Sequence, residues 1–419
     1  MEKRMLALCL MAMLIVSFVY AGGAAEDAKT GMPKVELAND KWSAQDYSVI
    51  EGVEKSAVEN LGYDLTVTSY PDTSSFQTVI QQSGRTPAAP GLFTWWSGAP
   101  LTTLVENGLV EDVTALWNEY FIPAGVSADL ADAFTVDGKI YAAPFSILYN
   151  VIYYNKSAFE TAGVTSIPET FAEFEAACDK LIAAGITPIG LKNDSWAGFI
   201  WFQQMLAAED PDLYAGVCDG SIPYTDKRVV NAMDRWNSIL EKGYFSKPMP
   251  VNDWRKQFAA GQVAMMLEPT PEITEFKKNF GLVSGEDFGQ FSLPSATGEK
   301  KVVFFETAPL CVSAHSETKE DAIELFSKWY NKEHQTYLYN NFGFANTSQV
   351  TIEDPLFTQV LQNTADADNY QLILRYYENT PEKIRNVALD EFMKLQMGNT
   401  SVVAMLEAIQ AEADAYWSN

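Results

Sequence analysis

The sequence supplies few side chains for acid, base or metal chemistry. Its two histidines, His315 and His334, have no ligand partners at metal-binding spacing. A zinc site or a histidine general base therefore has little support. No glycine-rich phosphate loop is present, and no G-x-S-x-G elbow. Carboxylates are plentiful. Glu268 and Glu306, each in a strand-like segment among apolar residues, are the best candidates for a glycosidase pair. The same residues read equally as ordinary hydrogen-bonded carboxylates. The unusual stretch is GLFTWWSGAP, residues 91–100, which sets Trp95 beside Trp96. Successive side chains on a strand point to opposite faces. One Trp is thus expected to be an exposed stacking platform, the other to pack beneath the loop. Aromatic faces cover the C–H faces of a sugar ring, while Asp, Asn, Glu, Lys and Arg bond its rim hydroxyls.

These residues need elements to hold them. Strands are expected at Val35–Ala38, Leu65–Ser69, Leu92–Trp95, Ile186–Leu191 and Val263–Leu267, alternating with amphipathic helices. Thr170-Phe171-Ala172-Glu173 spells a capping box, followed by the stripe Phe171, Phe174, Cys178 and Leu181. Thr225 is expected to cap a helix that ends at Gly243, and Asp253 to start a shorter one. Thr318–Asn331 reads as a helix, and the chain from Pro381 onward is helical with a break at Gly398-Asn399. The rhythm is that of an α/β sheet covered by helices. In such sheets ligands sit beyond the carboxyl ends of strands. Those ends are Asn39-Asp40-Lys41-Trp42, Tyr70-Pro71-Asp72, Trp95-Trp96-Ser97-Gly98, Asn193-Asp194-Ser195-Trp196 and Glu268-Pro269-Thr270. All are polar and three carry Trp, a pattern expected of a cleft.

A chain of 419 residues is too long for one ordinary core and predicts two lobes. The net charge of −26 repels nucleic acid and anionic membranes. Lys3 and Arg4 precede an uncharged apolar run, Met5–Tyr20, and Val19-Tyr20-Ala21 offers a cleavage site. A signal peptide cut after Ala21 is expected, which leaves −27, with a loose segment over 22–33. No cysteine follows the site closely enough for lipidation. Cys178 and Cys311 lie in apolar surroundings, and with Cys218 they make an odd number, so the fold is not expected to rest on disulfides.

Residues 141–189, YAAPFSILYNVIYYNKSAFETAGVTSIPETFAEFEAACDKLIAAGITPI, resemble the extracellular solute-binding proteins of carbohydrate ABC importers, of the maltose-binding type. FAAGQVAMMLE (258–268) and LVENGLVEDVTALW (104–117) are similar to two further stretches of that family. The resemblance implies a two-lobe periplasmic-binding fold, with ligand in the cleft and hinges near Ser146–Tyr149, Phe304–Thr307 and Gly343–Thr347. Lobe I is then 34–146 plus 304–345, and lobe II 147–303 plus 346–419. It also implies a sugar ligand, a membrane permease with its ATPase as partner, a monomer, and neither catalysis nor a cofactor. Position by position, Trp96 and Trp196 match ring-stacking residues, and Asp40, Lys41 and Trp42 look like the first sugar-binding loop without its glycine. Glu268 and Thr270 stand near a position where the family has Trp, as does Arg385. Two further polar contacts fall on Ala99 and Pro100, and a Glu on Leu148, which argues against maltose itself. The implied ligand set is Asp40, Lys41, Trp42, Asp72, Trp95, Trp96, Ser97, Tyr149, Asp194, Trp196, Glu268, Thr270, Glu306 and Arg385. Two other readings stay open: a glycoside hydrolase on Glu268 and Glu306, and a receptor for a cationic small molecule held by Glu268, Glu306 and Asp194.

Overall fold

A computed structural model describes residues 31–42, 45–193, 197–298 and 300–418. The proposed signal segment, Asp194 and Trp196 lie outside the described residues. Eleven strands are described: β1 Lys34–Asn39, β2 Asp64–Ser69, β3 Leu92–Thr94, β4 Thr135–Val136, β5 Lys139–Ile140, β6 Ala143–Asn155, β7 Thr187–Ile189, β8 Val263–Pro269, β9 Phe288–Phe291, β10 Lys301–Val312 and β11 Tyr370–Leu374. Nine of them form one mixed sheet in the order β2-β1-β3-β10-β6-β8-β7, with β11 beside β10 and β9 beside β6. β1 runs parallel to β2 and β3, joined by helical crossovers as parallel pairs require. β6 and β10 are long and antiparallel, and carry the sheet from one core into the next.

The pleat explains how one sheet serves several cores. Along β6, Ile147, Tyr149, Val151 and Tyr153 enter one cluster, while Ile152 and Tyr154 enter another. β10 does the same, with Val303 and Phe305 on the first side and Val302 and Phe304 on the second. This period of two buries both faces under helices, which is why β6 reads as an almost continuous apolar run. A separate cluster gathers Val35–Phe145 side chains with Ala308–Phe344 side chains. Tyr377 packs against both this cluster and that of Ile152.

Local signals largely hold. Thr170 accepts from the Glu173 amide, and the Glu173 side chain accepts from the Thr170 amide, so the capping box is complete. Two helix starts are displaced. Asp226, not Thr225, caps Lys227–Glu241, its carboxylate accepting from the Arg228 amide. The helix expected from Asp253 begins at Val251, after Pro250. Cys178, Cys218 and Cys311 are free and buried. No helix among the described residues is long and apolar enough to cross a membrane.

Candidate functional site

At the end of β1, Asn39 is fully buried and bonds the turn around itself. Its Oδ1 accepts from the Trp42 amide at 2.9 Å, and its Nδ2 donates to Ser69 Oγ at 3.3 Å. This fixes Asp40 and Lys41 at the strand's mouth. Asp40 Oδ2 accepts from Thr73 Oγ1 at 2.9 Å, while Oδ1 lies 3.1 Å from Lys41 Nζ. The ammonium sits 3.6 Å from the centroid of the Trp96 ring. Burial pushes the Lys41 pKa down, and the Asp40 carboxylate pulls against that shift.

β3 ends at Thr94, so Trp95 and Trp96 lie past the strand, and the alternation expected of them does not apply. Both rings enter the cluster of Val35–Phe145 and Ala308–Phe344 side chains, the first core along the chain, edge to face at 5.1 Å. Trp95 is 3% exposed and donates from Nε1 to the Pro100 carbonyl at 3.1 Å. Trp96 is 8% exposed, and one of its neighbours is Tyr377, at 6.5 Å. Ser97 is buried, and its Oγ has no hydrogen-bond partner among the described residues.

The opposing wall follows β11. Arg375 pairs with Glu306 of β10 and forks onto Glu378, with contacts of 2.9 and 2.6 Å. Its guanidinium lies 5.6 Å from the Phe199 ring and 5.9 Å from Tyr377. Arg385 is buried, stacks on Tyr377 at 4.0 Å, and donates from Nη1 to the Tyr377 carbonyl at 2.8 Å. Its Nε has no hydrogen-bond partner among the described residues. The structure thus brings together Asp40, Lys41, Trp96, Glu306 and Arg385 with Arg375, Tyr377, Glu378 and Phe199.

The last four were not anticipated from the sequence. The signal was available in Arg375-Tyr376-Tyr377-Glu378, an aromatic pair between charges at a strand's carboxyl end. It was missed because β11, Tyr-Gln-Leu-Ile-Leu, lacks clear alternation.

The other predicted residues lie elsewhere. Trp42 belongs to the first core, stacked on Phe342 at 4.5 Å. Asp72 is a helix cap, accepting from the Ser75 amide and hydroxyl at 2.7 Å each, bonds that hold its carboxyl below the usual range. Tyr149 is buried, which pushes its phenol up to about 12, and its amide donates to Thr270 Oγ1 at 3.3 Å. Glu268 pairs with Lys192 at 2.7 Å, both side chains 5% exposed.

Register excludes the hydrolase pair. Glu268 lies opposite Val151 and Glu306 opposite Leu148, on the two strands flanking β6. Val151 and Leu148 are three residues apart, so the two carboxylates project from opposite faces of the sheet. They cannot flank one glycosidic bond. Among the described residues no group of three or more His, Cys, Asp or Glu could hold a metal ion. A surface recess of about 1360 Å³ beside Thr170, Asp210, Ser295 and Asp366 contains none of the predicted residues.

This fold, a mixed sheet crossing between two cores, has many counterparts among solved structures. A family model described as bacterial extracellular solute-binding protein matches residues 53–364. The chain belongs to that family. Solved structures share the fold of this solute-binding protein. A chitin oligosaccharide binding protein superposes with a TM-score of 0.79 at 21% identity, covering 92% of this chain and 99% of that one. The solute-binding protein RafE in complex with raffinose gives 0.73 at 19%, covering 91% and 99%. These likenesses establish the two-lobe fold. Among sequence relatives, a putative binding protein of Brucella abortus (strain 2308) is 21% identical over 405 residues, 93% of this chain and 94% of the relative. The diacetylchitobiose binding protein DasA of Streptomyces coelicolor is 27% identical over 235 residues, 53% of this chain and 52% of its own length. The family consists of binding proteins, not enzymes.

Proposed function

We propose that this solute-binding protein captures a small carbohydrate outside the cytoplasmic membrane and delivers it, as a monomer, to the permease of an ABC transporter. The observation that carries the reading is the convergence of Trp96, Tyr377 and Phe199 with Asp40, Lys41, Glu306, Arg375 and Glu378. Aromatic faces with short polar groups around them suit a ring that is apolar on its faces and hydroxylated at its rim. The ligands for which the similar proteins are named, chitin oligosaccharide, raffinose and diacetylchitobiose, support the same class. Ser97 Oγ and Arg385 Nε, both buried, add a hydroxyl and a cationic donor that hydroxyl oxygens would satisfy. Asp194 and Trp196 immediately precede in sequence the helix Ala197–Glu209, which carries Phe199, and we place both residues in the ligand set. The lobes divide at 146/147, 303/304 and 345/346, with hinges in β6, β10 and Gly343–Thr347. The mature chain begins at Gly22.

A receptor for a cation is less well supported. Glu268, Glu306 and Glu378 each already face a Lys or Arg. The test is a thermal-shift screen against neutral mono- and oligosaccharides, amino sugars and polyamines, because a ligand of the folded state raises the melting temperature by mass action. A shift with a neutral sugar, and no release of reducing ends on incubation, is the expected result. A response confined to polyamines would overturn the proposal.

A further inference from the structure

The ring face that makes Trp96 useful is already occupied. Lys41 Nζ lies 3.6 Å from the ring centroid, the distance at which an atom touches an aromatic face. Asp40 holds the ammonium from one side at 3.1 Å. Across the junction Tyr377 stands 6.5 Å from the same indole, and the Arg375 guanidinium and the Glu378 carboxylate act on Lys41 electrostatically in opposite directions. The two walls touch directly, since a Cβ placed on Gly98 would lie 2.3 Å from the Glu378 carbonyl oxygen. Only 23% of the Lys41 side chain is exposed, on a loop that solvent would otherwise bathe. A lysine gives up that hydration only where carboxylates and an aromatic face replace it.

A sugar ring stacked on the face of the indole that Lys41 covers needs the same layer of space that the ammonium fills. Both cannot be there. Resting on the reading of Trp96 as the stacking platform, we propose that Lys41 is a tethered occupant of that platform, which a ligand must displace. Displacement has a chemical consequence. When the ammonium leaves, the Lys41–Asp40 ion pair is broken, and a hydroxyl of the incoming ring can donate to the carboxylate in its place. The ligand that wins is one that presents an apolar ring face to Trp96 and a hydroxyl donor to Asp40. A ring without that hydroxyl would break the Lys41–Asp40 ion pair and offer nothing in exchange for it. Lys41 therefore sets specificity by being the competitor, not by contacting the sugar.

The two roles for Lys41 give opposite signs in one experiment. The full-length mature protein is treated with an amine-modifying reagent, and modification of each lysine is followed by mass spectrometry with and without the sugar that gives the largest thermal shift. Without sugar, Lys41 should react at least tenfold more slowly than Lys34, whose side chain is 81% exposed. Saturating sugar should raise the Lys41 rate, because the side chain is pushed into solvent. Protection of Lys41 by sugar would overturn the proposal and make it a ligand contact. Calorimetry supplies the second arm. Lys41→Met keeps the chain length without the charge and should tighten sugar binding by about threefold to thirtyfold, the range of a cation–π contact. Weaker binding would overturn the proposal. Lys41→Gln replaces it should the Met variant melt early. A panel in which no sugar binds the parent protein refutes the carbohydrate reading instead. In that event the sugar-free labelling still decides whether Lys41 is seated, and a rate equal to that of Lys34 refutes it.

Discussion

At the level of single residues, Trp95 and Trp96 are the sharpest pair to perturb. Trp95 has both ring and Nε1 committed to the first core. Trp95→Ala should cost about 3–5 kcal/mol of stability, measured by denaturant unfolding. Trp96→Ala should weaken sugar binding about thirtyfold, read by calorimetry below the melting temperature of both proteins. Equal affinity for the Trp96 variant and the parent would remove Trp96 from the site. His334 gives a pH test. Its Nδ1 shares a hydrogen bond with Ser56 Oγ at 3.0 Å, its ring stands edge-on to Trp329, and burial lowers its pKa to about 3. The unfolded chain therefore binds the proton first. Its contribution to stability is complete above about pH 6.5 and falls as pH drops towards 3, by at most about 1.4 kcal/mol per pH unit. His334→Asn should flatten the dependence of melting temperature on pH between about 6.5 and 5, above the carboxylate range. An unchanged slope would show that His334 is not the titrating group. These residues also mark where the sequence was readable. Asp40, Lys41 and Trp96 could be found because loop composition at a strand end is a local property. Trp42, three residues past the same strand's end, lies in the core because Phe145 and Phe342, remote in sequence, come to meet it.

Among the elements, the helix Phe171–Ala183 offers a clean measurement. Its capping box satisfies an amide in each direction, and nothing tertiary is needed to form it. Thr170→Ala should lower stability by about 1 kcal/mol, seen as a shifted urea midpoint with the slope m unchanged. The same locality made the box legible. Asp226 was misread by one position because Thr225 and Asp226 are both good caps, and only backbone geometry chooses between them. β8 was recognisable from its apolar run. β11 was not, since its partner Lys301–Phe305 lies far away in sequence and Gln371 and Leu372 remain exposed. The opposing wall of the site hung on that one strand, so half of the candidate cleft was hidden with it.

For the whole molecule, the relation of the two walls is the quantity to test. Gly98 has φ of +69° and touches the Glu378 carbonyl closely enough to leave no space for a methyl group. Gly98→Ala should hold the walls apart, enlarge the radius of gyration in small-angle scattering, and reduce sugar affinity while the melting temperature of each lobe changes less. A variant that closes and binds like the parent would separate this contact from closure. The sheet that joins the lobes also constrains how the molecule can be made. β3 waits for a neighbour, because its edge is completed only when Leu310–Val312 pair with Leu92–Thr94. A chain emerging amino end first must carry that bare edge through synthesis of every residue between Thr94 and Leu310. Unpaired edges invite wrong partners. The first lobe is accordingly the part that a holding chaperone would need to shield, and the late arrival of β10 is the event that releases it.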